Sequence, residues 1–121
     1  MRGNKLTEAS RAFAVRIVKF CCFLSAKNRS RVLSDQILRS GTSIGANIRE
    51  AQNAASKKDF ISKLAIALKE ANETQYWLEV FHESEMISVA QFSSLYEDCT
   101  VLAKMLSSAV KTARKNLSEE E

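Results

Sequence analysis

Residues 60–81 read FISKLAIALKEANETQYWLEVF, and the spacing of apolar residues within them decides the fold. Phe60, Leu64, Ala67, Ala71, Thr74, Leu78 and Phe81 recur at alternating steps of four and three, a heptad seam. A helix turns about 100° per residue, so these positions fall on one stripe. Three further stretches repeat the rhythm. Phe92, Leu95, Cys99, Leu102, Leu106, Ala109, Ala113 and Leu117 make one seam, and Leu33, Ile37, Ser40, Ile44, Ile48, Ala51 and Ala55 another. Leu6, Phe13, Ile17, Phe20 and Leu24 make the last, and no proline interrupts any of them. Four one-sided helices must bury their stripes against each other. The expected fold is all-α, an antiparallel up-down-up-down four-helix bundle forming one domain over residues 1–121.

Local chemistry sets the expected boundaries at residues 7–26, 31–55, 57–83 and 89–117. Thr7 is a candidate cap for the first helix and Ser30 for the second. Ser56 with Asp59, and Ser88 with Gln91, have capping-box spacing and open the third and fourth. The acidic tail Ser118–Glu121 is expected to fray. The connections are short, which favours antiparallel neighbours.

Composition bounds the function classes. The chain has 121 residues, 45% hydrophobic and 26% charged, which describes a globular domain with enough chain for one core. No apolar run is long enough to span a membrane, and Met1–Ser10 lacks the layout of a secretory signal. Cys21, Cys22 and Cys99 cannot all pair, so reduced thiols in a cytoplasm are expected. The net charge of +4 hides an asymmetry: residues 1–63 sum to +9 and residues 64–121 to −5. A basic half suits a nucleic acid or another polyanion, or else an acidic face of an identical subunit.

Up-down topology sharpens the first reading. It brings Arg2, Lys5, Lys57, Lys58, Lys63, Lys111, Arg114 and Lys115 to one end of the bundle, with Arg49 nearby. The candidate phosphate contacts are Arg49, Lys57, Lys58, Lys63, Lys111, Arg114 and Lys115. No exposed aromatic platform is expected to interleave these charges, so they predict backbone contact rather than base-specific reading of single strands. A second set predicts self-association. Ile66, Glu70, Glu73, Trp77 and Val80 form an apolar and acidic line away from the seam of the third helix. Val15 and Val18 form a strip opposite Phe13 and Ile17 on the first, joined by Cys22. Wide core stripes would engulf the same residues. On the second helix Gln36, Arg39, Ser43, Asn47 and Glu50 make a polar stripe. Gly41 and Gly45 on its flank permit close approach, within the bundle or by another subunit or ligand.

Enzymatic chemistry is not expected. Glu79 and His82 have the Glu-x-x-His spacing of bundle di-iron sites, but His82 is the only histidine and lies at a helix end. The cysteines lack a zinc spacing, although His82 falls at the same end of the bundle as Cys21 and Cys22. The glycines form no phosphate loop. Neither cofactor nor metal is expected.

From Arg39 to Leu78 the sequence resembles a known family. Arg39-Ser-Gly-Thr-Ser-Ile-Gly-Ala-Asn-Ile-Arg-Glu50 is similar to the signature of bacterial 23S ribosomal RNA intervening-sequence proteins. Ser56-Lys-Lys-Asp-Phe60 and Ile66-Ala-Leu-Lys-Glu-Ala-Asn-Glu-Thr-Gln75 fit the same pattern. The resemblance implies a homopentamer of four-helix bundles, and no catalytic residue. It also extends to the accessory protein of diversity-generating retroelements, a basic ring that binds nucleic acid and a protein partner. Arg39, Asn47, Glu50 and Glu73 match the family's polar positions. The function expected from all of this is non-enzymatic binding of RNA or DNA by a homo-oligomer. The alternative is a protein-binding adaptor ring with no nucleic-acid contact.

Overall fold

The computed structural model describes residues 2–28 and 30–120, with side chains from Lys5 onward. Four helices follow one another: α1 (Arg2–Ala26), α2 (Arg31–Gln52), α3 (Lys57–Glu83) and α4 (Val89–Glu120). Each packs on its sequence neighbour, and α4 closes back on α1. Cross-helix contacts run in opposite order along each neighbouring pair. Thr7 meets Gln52 while Cys21 meets Ser34; Lys63 meets Glu50 while Arg39 meets Glu73; and Glu79 meets Tyr96 while Gln75 meets Thr100. Sequential helices are therefore antiparallel, as the short connections require.

Capping chemistry separates the helices. Ser30, Ser56 and Ser88 each accept a backbone N–H three residues on, from Leu33, Asp59 and Gln91 at 3.3, 3.1 and 3.1 Å. Gln91 returns the favour by accepting the Ser88 N–H at 2.9 Å, a complete capping box. At the other end of α3, Glu85 takes the left-handed conformation, φ 61°. Its N–H reaches the His82 carbonyl and that of Met86 the Phe81 carbonyl, both at 3.0 Å, which is a Schellman closure without glycine.

Three boundaries depart from expectation. α1 begins at Arg2, so Thr7 is interior and its hydroxyl accepts from Gln52 Nε2 at 2.6 Å instead of capping. α2 ends at Gln52 rather than residue 55, because the α3 cap takes the intervening residues. Asp59 Oδ2 accepts the Ala55 N–H at 3.3 Å and holds it outside α2. Ser118–Glu120 of the acidic tail continue α4, and the Glu120 carboxylate pairs with Lys57, while Glu121 lies outside the described residues.

The seams form the core, with Ile17, Leu24, Ile37, Ile44, Leu78, Phe81 and Leu106 fully buried. Phe20 and Phe81 meet edge to face at 5.7 Å. Ser10, Ser40 and Thr74 are the buried polar side chains among the described residues, and the last two meet across α2 and α3. Thr74 Oγ1 lies 2.9 Å from Ser40 Oγ and 2.8 Å from the Glu70 carbonyl, so neither hydroxyl is orphaned. Gly41 allows α1 and α2 to close: a Cβ there would stand 2.9 Å from Ile17 Cγ1. Gly45 faces Ser10 in the same way, at 3.3 Å from its Oγ. Both glycines thus serve packing within the bundle.

The seam of α3 is out by one position at its start. Ile61 is buried, whereas Phe60 is 36% exposed. Phe60 is left open because α1 and α4, the most sparsely packed neighbours, do not close over it at this end. Arg16 joins those two helices farther along, binding Asp98 Oδ2 at 2.5 Å and Ser94 Oγ at 2.8 Å.

Candidate nucleic-acid interface

The end of the bundle formed by the start of α1, the α2–α3 connection and the end of α4 carries the predicted cations. Lys5 is on the first turns of α1, Arg49 on the last turn of α2, and Lys57, Lys58 and Lys63 on the first turns of α3. Lys111, Arg114 and Lys115 lie on the last turns of α4. The side chain of Arg2 falls outside the described residues. Arg49, Lys58, Lys111, Arg114 and Lys115 are exposed, and no salt bridge engages them among the described residues. Two of the predicted contacts are in part neutralised. Lys57 pairs with Glu120, and Lys63 Nζ lies 3.4 Å from Glu50 Oε1. Such exposed pairs are worth at most about 1 kcal/mol, so a phosphate can displace the carboxylate. Asp59 is held at the α3 cap.

The predicted interface residues divide into two groups. Val15 and Val18 on α1 and Ile66 on α3 are exposed, at 48%, 45% and 37%. Trp77 and Val80 are half-buried, and Trp77 packs against the core. Glu70 and Glu73, on the same line of α3, bind Arg39 across the α2–α3 groove. Arg39 Nη1 approaches Glu70 Oε1 at 3.2 Å while Nη2 reaches Glu73, and Trp77 Nε1 donates to Glu73 Oε2 at 3.0 Å. The Trp77 N–H and the Arg39 guanidinium hold the Glu73 carboxyl below its usual range, and Glu73 in turn raises Arg39. Of the family's polar positions, Arg39 and Glu73 therefore join in one network. Glu50 belongs to a separate pair with Lys63, and Asn47 Nδ2 donates to the Ser43 carbonyl at 2.9 Å. Tyr76, 55% exposed and edge-on to Trp77 at 5.0 Å, joins the apolar surface without a sequence signal, since it lies off every seam.

Apart from Cys22, which is an exposed free thiol, the groups weighed for catalysis have structural partners. The His82 ring stacks on Phe92 at 4.3 Å, and Glu79 accepts the Tyr96 hydroxyl at 2.7 Å, raising the Tyr96 pKa. Burial pushes the Cys99 thiol up to about 12, so it stays protonated, and its Sγ donates to the Ala71 carbonyl at 3.3 Å. Cys21, also raised by burial, donates to the Ser34 carbonyl at 3.6 Å. Among the described residues no cluster of potential metal ligands occurs, and no helix is long and apolar enough to cross a membrane.

The sequence profile of the 23S rRNA-intervening sequence protein family matches residues 2–108. A solved structure from Bacteroides thetaiotaomicron, described as a protein of unknown function from the S23 ribosomal protein family, is 53% identical. It superposes with a TM-score of 0.89, covering 92% of this chain and 99% of that one. No curated protein matches significantly.

Proposed function

This chain belongs to the 23S rRNA-intervening sequence protein family, and from that membership we propose that it is a non-enzymatic, cytoplasmic homo-oligomer, a pentamer, that binds RNA or another nucleic acid through the basic end of its bundle. The observation that carries this reading is the convergence of Lys58, Lys111, Arg114 and Lys115 from two helices onto one end, exposed and free of ion pairs among the described residues. In a ring of identical subunits the same end of every chain faces the same way, so these charges add into a basic rim. Val15, Val18, Ile66 and Tyr76 supply exposed apolar surface for subunit contacts, beside the half-buried Trp77 and Val80. The absence of a catalytic role is supported by the stacking of His82 and the protonated burial of Cys99.

The test is a titration of a labelled structured RNA, followed by anisotropy, at low and near-physiological salt. Each phosphate neutralised releases condensed counterions, so about five contacts per chain give a log–log salt slope of roughly −4. Saturable binding with a slope of that size is the expected result. A second reading, an adaptor ring whose partner is a protein, draws on the in-chain pairing of Lys57 with Glu120 and Lys63 with Glu50. Failure to bind at low salt would favour it.

A further inference from the structure

At the basic end, α1 and α4 leave between them a cleft of about 960 Å³ that all four helices line. Its walls are apolar: Leu6 from α1, Ile48 from α2, Leu64 from α3 and Met105 from α4. Phe60 lines it too and is 36% exposed, on the helix turn that follows Lys57 and Lys58. On the α4 side, Ser108, Thr112 and Asn116 line the cleft at steps of four, in the same turns as Lys111, Arg114 and Lys115. Among the described residues Lys5 is the one charged side chain in the lining, and it is a cation.

We propose that this cleft receives an unpaired nucleobase of a single-stranded or looped nucleic acid, stacked on Phe60, while the surrounding lysines and arginines hold its flanking phosphates. The inference rests on the nucleic-acid reading and deepens it, from backbone binding at the basic end to selection for unpaired nucleotides there. Three features favour this occupant. The volume lies within the range of ligand pockets, roughly 300–1,000 Å³, and exceeds what one flat base needs. An aromatic ring with hydroxyl and amide groups in the same lining is a combination that can hold an unstacked base, by stacking and by hydrogen bonds to its edges. Charge complementarity selects among apolar ligands. Among the described residues the lining contains no carboxylate, and the adjacent turns carry Lys57, Lys58, Lys111, Arg114 and Lys115 against Glu8, Glu50 and Asp59. Of these acids Glu50 pairs with Lys63 and Asp59 holds the α3 cap, so an apolar group attached to a phosphate chain is preferred over a neutral or cationic one. A paired base cannot enter, because both its faces are stacked and its edge is used.

The sequence pointed the other way, since Phe60 falls on the α3 seam and no exposed aromatic was expected to interleave the basic residues. The sparse packing of α1 on α4 leaves it exposed, and that sparseness has no signature in helical periodicity.

Three labelled probes of equal length separate this inference from the reading beneath it. They are a mixed-sequence single-stranded RNA, the same strand with abasic central positions, and the duplex. Phe60→Ala is expected to weaken single-strand binding by about 5- to 150-fold, the range for loss of base stacking on an aromatic. Binding of the abasic strand and of the duplex should change less than twofold. Ala109→Leu, which fills the cleft while keeping Phe60, should produce the same selective loss, so a folding defect in either variant alone does not decide the outcome. If the wild type binds duplex, abasic and intact single strands alike, the cleft takes no base and this inference falls, while the nucleic-acid reading stands. It falls equally if neither variant discriminates among the probes. If none of the probes binds at low salt, both readings fail together.

Discussion

Replacing Lys58, Lys111 and Lys115 together by glutamate is expected to lower RNA affinity by roughly a hundredfold or more and to flatten the log–log salt slope by about three. These three are chosen because they are exposed and engaged in no ion pair among the described residues. Reversing Lys57 or Lys63 would instead set a glutamate against Glu120 or Glu50, mixing lost phosphate contact with new repulsion inside the chain. The slope is the more telling readout. A general loss of folded protein lowers the amplitude of binding and leaves the slope intact, whereas lost phosphate contacts change the slope itself. Lys19→Glu and Lys27→Glu, toward the opposite end of α1, are the control and should alter affinity less than threefold. In a ring the triple change is repeated in every subunit, so a measurement per assembly should exceed the figure per chain. Equal losses from both sets would mean that only net charge matters and that the basic end has no special place.

Gly41→Val is expected to destabilise the bundle by about 3 kcal/mol, through overpacking that outweighs its better helix propensity. A Cβ at Gly41 would stand 2.9 Å from Ile17 Cγ1 and 3.0 Å from Cγ2. Ile17 is fully buried and β-branched, so its stiff χ1 leaves it no cheap retreat. For a domain of this size the loss corresponds to a fall in Tm of about 10–20 °C at fixed protein concentration. Gly45→Ala is the matched comparison. There the new methyl would meet Ser10 Oγ at 3.3 Å and Ser10 backbone at 3.5 Å. That mild crowding is offset by about 1 kcal/mol of helix propensity, so near-neutral stability is expected. A Gly41→Val protein that melts like the wild type would show that α1 and α2 have slack between them, contrary to the packing described.

The four helices and most of their buried faces were legible because periodicity reports the direction of each side chain within its own helix. Ser30, Ser56 and Ser88 were legible for a related reason, since a cap acts over three residues. What periodicity cannot carry is the distance between helices. Phe60 and Ile61 both suit the start of the α3 stripe, and the opening between α1 and α4 decides which is covered. The same limit applies to Arg39, Glu70 and Glu73. Each was recognisable as polar and off the seam, but their meeting depends on the register of α2 against α3. Thr7 misled because its capping chemistry is equally useful as a hydrogen-bond acceptor for Gln52 across the α1–α2 groove. The gathering of cations at one end was legible from topology alone, whereas the pairing of Lys57 with Glu120 required α4 to continue past its last apolar seam residue.

The most direct test of where nucleic acid binds is lysine acetylation footprinting by mass spectrometry, with and without saturating RNA at low salt. Protection of Lys58, Lys111 and Lys115, with Lys19 and Lys27 still reactive, is the result predicted for binding through the basic end. Protection of Lys19 and Lys27 while the basic end remains reactive would contradict it.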